Sequence, residues 1–218
     1  MSNLRKGTYG SYYGSYFNES ALLTTAQMQE NAEYIYAYLT DQGWSIEAIC
    51  GLLGNMQWES GINPGRWQSD NVGATSSGYG LVQWTPASDY IAWCGDRDPS
   101  DMDVSLSRII YELEHGVQYY GTNDYPLSFR SFSKSTETPY YLACAFAWNY
   151  ERSWTVLYGS EAEKEALRQK RGSAAESWYN YLSGIEPGEP DDPYNPTPRP
   201  PNKRKEMSLL LMYLATRR

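Results

Sequence analysis

One carboxylate, Glu59, is placed where it could take part in a reaction. It lies at the end of an apolar stretch, just before residues that are predicted to end a helix. Residues 49–64 read Ile-Cys-Gly-Leu-Leu-Gly-Asn-Met-Gln-Trp-Glu-Ser-Gly-Ile-Asn-Pro, which places it in the last turn of a predicted helix. Glycoside hydrolysis needs a protonated carboxyl group that can donate to the leaving oxygen. The negative end of the helix dipole and an apolar neighbour, Trp58 or Met56, would both favour that protonated form. The alternative is an ordinary solvated glutamate at a helix end. These residues alone favour neither the catalytic nor the solvated interpretation.

Helix-capping signals indicate which elements carry this glutamate. Thr24 begins a capping box for a first helix that ends near Gly43, and Ser45 caps a second helix over about 46–60. Along the second helix, apolar residues recur every three or four positions, which predicts a buried face. We therefore expect Glu59 to stand at the end of a central, buried helix.

The chain beyond this point predicts a small sheet and four more helices. Residues 66–84 are rich in glycine and serine, which favours turns and a small two- or three-stranded sheet. The last helix ends at Gly184. The four helix starts are predicted from caps and first-turn prolines, at Thr85-Pro86, near Asp103, at Thr138-Pro139 and at Ser160.

Composition argues against several classes of partner and site. The 218 residues carry a formal net charge of −8, which repels a phosphate backbone and argues against nucleic acid. There are 21 Tyr and 8 Trp against 4 Phe; such rings suit clefts that stack sugars, or a partly wet core. Three widely spaced cysteines and one histidine, His115, form neither a disulfide framework nor a zinc ligand set. We expect no metal and no other cofactor.

The two ends of the chain differ from its body. Residues 1–22 predict an extended arm, residues 23–184 the core domain, and residues 185–202 a proline-rich linker. Residues 203–218 form an apolar segment between positive charges that is too short to span a bilayer. We predict that it docks to a partner protein; an interfacial membrane segment and a disordered tail are the alternatives. The first residues lack the apolar run of a secretory signal, so we expect another route of export.

Four segments, in order, carry a recognisable pattern. They are residues 49–64, residues 78–84 (Gly-Tyr-Gly-Leu-Val-Gln-Trp), residues 102–112 and residues 149–152 (Asn-Tyr-Glu-Arg). Together they resemble the phage tail lysozyme family, in which a Glu-Ser at a helix end precedes a Gly-Tyr-Gly-Leu-x-Gln hairpin. The proline that follows Asn-Tyr-Glu-Arg in that family is Ser153 here. The resemblance covers about residues 22–184. It implies an α+β, mainly helical, lysozyme-like fold with a small β-hairpin or sheet beside the active-site helix.

The resemblance also implies roles for individual residues. Glu59 would be the general acid. Tyr79 and Gln83 would line the cleft and hold the amide and hydroxyl groups of the sugar. Asn149 and Tyr150 are similar to the cleft-facing Tyr-Asn element of lytic transglycosylases and would position the substrate.

A second carboxylate is less well defined. Asp70 lies in the turn-rich segment, where lysozymes often place a group that stabilises the cation or orients water, although Ser-Asp-Asn is also an ordinary turn sequence. Asp89 is a further candidate. Glu151 and Arg152 can equally be a structural ion pair.

The resemblance implies a muramidase that cleaves peptidoglycan between MurNAc and GlcNAc and helps a phage to penetrate the cell wall. Its partners would be the glycan strands and, through residues 203–218, tail or tail-tip proteins. It would be made in the host cytoplasm and carried in the virion. A non-catalytic glycan-binding or structural tail-tip module is one alternative, and a lytic transglycosylase of a conjugation apparatus is another.

Overall fold

Every residue from Ala48 to Met56 is buried, so this stretch forms the central helix of the fold. A computed structural model describes residues 2–185; the predicted docking segment and all but the first residue of the predicted linker lie outside the described residues. The helices and strands, in chain order, are β1 (Asn3–Gly7), β2 (Gly10–Gly14), α1 (Thr25–Asp41), α2 (Ile46–Glu59), α3 (Ala87–Cys94), α4 (Met102–His115), α5 (Phe129–Ser133), α6 (Pro139–Phe146), α7 (Trp154–Tyr158) and α8 (Glu161–Leu182). The predicted α+β, mainly helical fold is confirmed.

Two glycines let neighbouring helices approach α2 closely. A Cβ atom at Gly51 would lie 2.8 Å from the Leu142 Cβ on α6, and one at Gly54 would lie 2.7 Å from the Arg171 carbonyl oxygen on α8. Only the absence of a side chain permits such contacts. The close approach of α8 brings Arg171 alongside the C-terminal turn of α2.

Side-chain caps begin four of the helices where the sequence predicts them. Capping boxes are present at Thr24 for α1 and at Ser160 for α8. Ser45 caps α2, and Thr138 caps α6 with proline in the first turn. Each cap supplies an acceptor to backbone N–H groups that have no partner within the helix. These four predicted helix starts are confirmed.

The predicted start of α3 is wrong by one residue. Pro86 occupies the N-cap position rather than the first helical position, and the Thr85 hydroxyl donates to the Gln83 carbonyl oxygen at 2.9 Å. The Ala87 N–H instead donates to the carbonyl oxygen of Ser77 at 2.8 Å. Because a tertiary contact satisfies this amide, a side-chain cap is not required at Thr85.

The predicted small sheet over 66–84 is, in the structure, two isolated bridges. Trp67 pairs with Tyr79, and Tyr79 pairs with Trp84, without a continuous ladder. Gln83 has a φ of 53°, in the left-handed region, which interrupts any extended strand before the second bridge. The segment folds as a tight hairpin-like turn beside α2 rather than as a sheet.

The extended arm predicted for residues 1–22 contains the two-stranded antiparallel sheet instead. The Tyr12 ring is fully buried, 5.4 Å from that of Tyr34 on α1. The outer edge of β2 is satisfied by Asn31, whose side chain accepts from the Tyr13 N–H at 2.6 Å and donates to the Tyr13 carbonyl oxygen at 2.7 Å. The segment shows no apolar period because tyrosines, rather than aliphatic residues, supply its buried surface.

The helix predicted to begin at Thr138-Pro139 has two parts. The α-helical part ends at Phe146, and Ala147–Glu151 forms a π-helical turn. The extra residue in this turn changes which side chains share a face, and such turns recur at functional sites. Tyr150 and Glu151 therefore face a cleft, whereas Asn149 is buried in the core.

Among residues 2–185, no helix is both long and apolar enough to cross a bilayer.

We predict that Gly54→Ala lowers the free energy of unfolding by about 1–2 kcal/mol. The added methyl group would overlap the Arg171 carbonyl oxygen and Ala175, and overpacking of this kind costs up to ~3 kcal/mol. Alanine returns ~1 kcal/mol through its higher helix propensity. Denaturant unfolding would measure the difference. The control is Ser173→Ala on the exposed face of α8, which is expected to leave stability unchanged or slightly higher.

Candidate active site

A cleft of about 710 Å³ opens beside the C-terminal end of α2. Pockets of ~300–1,000 Å³ are typical of ligand sites. Its walls come from α2, the hairpin-like turn, α3, α4 and the π-helical turn. Three glutamates from three separate elements reach the cleft, Glu59, Glu112 and Glu151. The other charged or amide side chains along it are Arg66, Gln68, Gln83, Asp89, Arg108 and Gln118.

Glu59 is the last residue of α2 and pairs with Arg171 of α8. The same guanidinium donates through Nη1 to the Asn55 carbonyl oxygen at 2.9 Å, so Arg171 clasps the final turn of α2. The Glu59 side chain stays 21% exposed. The predicted position of this carboxylate at a helix end, in a cleft, is therefore what the structure contains; its catalytic role stays a prediction.

The apolar neighbour expected for Glu59 does not cover it. The Trp58 side chain is 47% exposed, and its Nε1 donates to the Lys170 carbonyl oxygen at 3.2 Å. The Lys170 ammonium lies 3.8 Å from the centre of the Trp58 ring. Glu59 thus has a cationic partner where the sequence predicts an apolar one, because the contact comes from α8, far along the chain.

Glu112 is the most completely bonded carboxylate of the cleft. It accepts from Trp84 Nε1 at 3.0 Å and Arg108 Nε at 2.8 Å on Oε1, and from the Tyr150 hydroxyl at 2.5 Å on Oε2. Burial raises the pKa of Glu112, and these three donors oppose that rise. The carboxylate joins α4, the hairpin-like turn and the π-helical turn, and so fixes the shape of the cleft.

Glu151 reaches the cleft from the end of the π-helical turn. Its Oε1 is buried and has no hydrogen-bond partner among the described residues. Burial, and then the nearby charge of Glu59, raises the pKa of the Glu151 carboxyl well above its usual range. The ion pair considered for Glu151 and Arg152 does not form within residues 2–185, where the Arg152 guanidinium lies 4.7 Å from the centre of the Tyr120 ring instead.

Two residues predicted to contact substrate are buried away from the cleft. Tyr79 is fully buried, with its ring 4.5 Å from that of Trp67. Asn149 is also fully buried, and it donates to the Tyr125 carbonyl oxygen at 2.8 Å and accepts from the Thr122 N–H at 3.0 Å. Both residues hold the walls of the cleft in place and have no direct access to its interior.

Gln83 and Tyr150, the other two substrate-binding predictions, do line the cleft. The amide nitrogen of Gln83 donates to the carbonyl oxygens of Arg66 at 3.1 Å and Gly80 at 3.0 Å. These bonds fix the side chain and leave its carbonyl oxygen as the group free to accept from a ligand. The Tyr150 hydroxyl is already used by Glu112.

Asp70 lies outside the residues that line the cleft. Its carboxylate is about half exposed, accepts from the Ser20 hydroxyl at 2.6 Å and pairs with Arg66 at 3.1 Å. Asp89, the further candidate, does line the cleft from the first turn of α3. The structure therefore places Asp89 and the two glutamates, but not Asp70, along the same cavity as Glu59.

Three residues of the site were missed by reasoning from the sequence, namely Arg171, Arg108 and Glu112. Arg108 and Glu112 are spaced i,i+4 on α4, which is a detectable ion-pair signal. Arg171 gives no such signal, because it lies within a highly charged helix and meets Glu59 only through tertiary packing.

Comparison with known proteins identifies a family and a relative. The family model described as phage tail lysozyme matches residues 30–182. A relative named Morphogenesis protein 1, from Bacillus phage B103, is 40% identical over 172 residues, which make up 78% of this chain and 44% of the relative. The chain therefore spans less than half the length of that relative.

We predict that Tyr150→Phe lowers the free energy of unfolding by about 1–3 kcal/mol, because a buried carboxylate loses one of its three donors. Chemical denaturation would measure the loss. Tyr120→Phe is the matched control, since this ring is 54% exposed. Equal stability of the two variants would contradict the organising role of Glu112.

Proposed function

The chain belongs to the phage tail lysozyme family, and on that basis we propose that it cleaves the glycan strands of peptidoglycan between MurNAc and GlcNAc. The observation that carries the proposal is the position of Glu59, which ends the central helix, lines the cleft and keeps part of its side chain exposed. The cleft has the volume for a segment of glycan and offers carboxyl, amide and guanidinium groups to it.

In the proposed reaction Glu59 is the general acid. It donates a proton to the glycosidic oxygen as the bond between that oxygen and the anomeric carbon breaks. Water then adds to the anomeric carbon and returns a proton to Glu59; in a transglycosylase reaction a hydroxyl of the same sugar closes on this carbon and returns the proton instead. The free carbonyl oxygen of Gln83 would accept from an N-acetyl N–H or a sugar hydroxyl, and Arg171 would stabilise the Glu59 carboxylate left after proton transfer.

We place this activity in a phage particle. The relative from Bacillus phage B103 is named for morphogenesis, which supports an association with the virion. Residues 203–218 remain our candidate for docking to tail or tail-tip proteins. The same relative's name favours one alternative function, a structural tail module that keeps the cleft without hydrolysis.

Glu59→Gln is expected to fold, and its wall-degrading activity is expected to fall ~10²–10⁴-fold, because an amide cannot donate the proton. The measurement is release of soluble fragments from purified peptidoglycan, with circular dichroism and thermal unfolding to confirm the fold. Glu47→Gln, at the other end of α2, is the matched control and should keep full activity. Wild-type protein that binds cell walls but releases nothing would support the structural module instead.

Asp70→Asn tests whether the second carboxylate predicted from the sequence takes part in the reaction. Because Asp70 is bound to Ser20 and Arg66 outside the cleft, we expect activity within about threefold of the wild type, a change of ~0.6 kcal/mol in the barrier. The same fragment-release measurement applies. A loss comparable to that of Glu59→Gln would place Asp70 in the reaction.

Mass spectrometry of the products distinguishes the two chemistries that the site permits. Reducing ends would identify hydrolysis, which is the expected result. Anhydro ends at the muramic acid would identify a lytic transglycosylase with the same proton donor.

A further inference from the structure

Glu151 is a partly buried acid in the cleft that the proposed reaction does not use. It ends the π-helical turn and lines the same cavity as Glu59. Its Oε1 has no hydrogen-bond partner among the described residues, whereas most buried polar atoms in proteins have one. An ionised carboxylate with an unsatisfied buried oxygen is expensive, so this environment favours the neutral acid.

The charged groups that face Glu151 come from three elements. Glu59 at the end of α2 and Glu112 on α4 are like charges that raise the pKa of Glu151, and Arg171 on α8 is the cation that lowers it. Arg108 neutralises Glu112 through its own ion pair at 2.8 Å. Glu59 and Arg171, which pair with each other, are therefore the remaining charges near Glu151.

Arg171 has donor capacity beyond its pair with Glu59. Its Nη1 and Nη2 are used by the Asn55 carbonyl oxygen and by Glu59. Its Nε is buried and, within the described residues, has no partner. A single guanidinium thus stands among two carboxyl groups with one pair formed and one donor free, which neutralises one negative charge but not two.

We infer that Glu151 and Glu59 form a two-carboxyl acid site that holds one proton between them, with Arg171 as the shared counter-ion. The inference rests on the proposed function, because it assigns to Glu151 the storage of the proton that Glu59 donates. In the free protein Glu59 pairs with Arg171 and Glu151 is the neutral acid. When glycan binds, the proton leaves the pair for the glycosidic oxygen as the bond to the anomeric carbon breaks. The water that adds to this carbon returns a proton to the pair.

The direct test is an NMR titration of protein labelled with ¹³C at the glutamate carboxyl carbons. We expect one carboxyl of the wild type to titrate well above the others, and its signal to be absent from Glu151→Gln. In Glu59→Gln the midpoint of that same carboxyl should fall, because the neighbouring negative charge is gone. A Glu151 midpoint unchanged in Glu59→Gln would overturn the shared proton, whatever the enzymatic activity.

The activity test is the pH profile of fragment release by Glu151→Gln. This variant lacks the proposed store of the proton, so the alkaline limb should move down by at least about one pH unit. At a fixed pH on that limb the rate should fall at least ~10-fold, and acidic buffer should restore it. A uniform loss at every pH would overturn the inference in favour of a purely structural Glu151.

The variants separate this inference from the function it rests on. If Glu59→Gln keeps its activity, the proposed general acid is wrong. If Glu59→Gln is inactive while Glu151→Gln has the wild-type pH profile, only the two-carboxyl site is wrong. Glu176→Gln, on the exposed face of α8, is the matched control and should leave both the titration and the pH profile unchanged.

Discussion

The site depends on one interaction, the binding of Arg171 to the final turn of α2. It exists because Gly54 lets α8 pack against α2 at backbone distance, which brings the guanidinium to the Asn55 carbonyl oxygen and to Glu59. A larger residue at Gly54 would separate the helices and withdraw the cation. The same contact between α2 and α8 therefore determines both the packing of the core and the charge beside Glu59. The partly buried pair also gains strength because water screens it less than it would a surface pair.

A second constraint acts on the opposite wall of the cleft. A carboxylate as buried as Glu112 is costly unless its oxygens are bonded, and three donors from three parts of the chain meet that need. Trp84, Arg108 and Tyr150 are thereby held by one acceptor. Loss of any one of these hydrogen bonds leaves the buried Glu112 carboxylate without enough donors. The three bonds are therefore expected to stabilise this wall of the cleft cooperatively.

The two constraints give the three glutamates different environments within one cavity. Glu112 accepts three hydrogen bonds, Glu59 pairs with a cation, and Glu151 has a buried oxygen without a partner among the described residues. The proposed acid chemistry needs carboxyl groups whose proton affinities differ. The π-helical turn contributes to this difference between the glutamates. It directs Glu151 toward the cavity, while the Asn149 side chain donates to the Tyr125 carbonyl oxygen in the core.

Much of the helical framework follows from local sequence. The caps at Thr24, Ser45, Thr138 and Ser160 act within one turn of the chain, and the apolar period of α2 reports its burial, so these features are readable without a structure. The position of Glu59 at the end of a buried helix followed from the same signals. The N-terminal hairpin was not readable in this way, since its tyrosines are buried only where α1 provides partners.

The sequence by itself determined the six longer helices, where most of them begin and which carboxylate ends the central one, but it did not indicate the two five-residue helices α5 and α7. Tertiary structure alone decided what surrounds that carboxylate. Tyr79 and Asn149 share motifs with cleft residues but point into the core, and Asp70 follows Glu59 closely but lies outside the cavity. Arg171 is distant in sequence yet touches Glu59. Local signals arise from backbone hydrogen bonds and side-chain periodicity within a few residues, whereas burial, charge pairing and access to a cleft depend on which distant elements pack together.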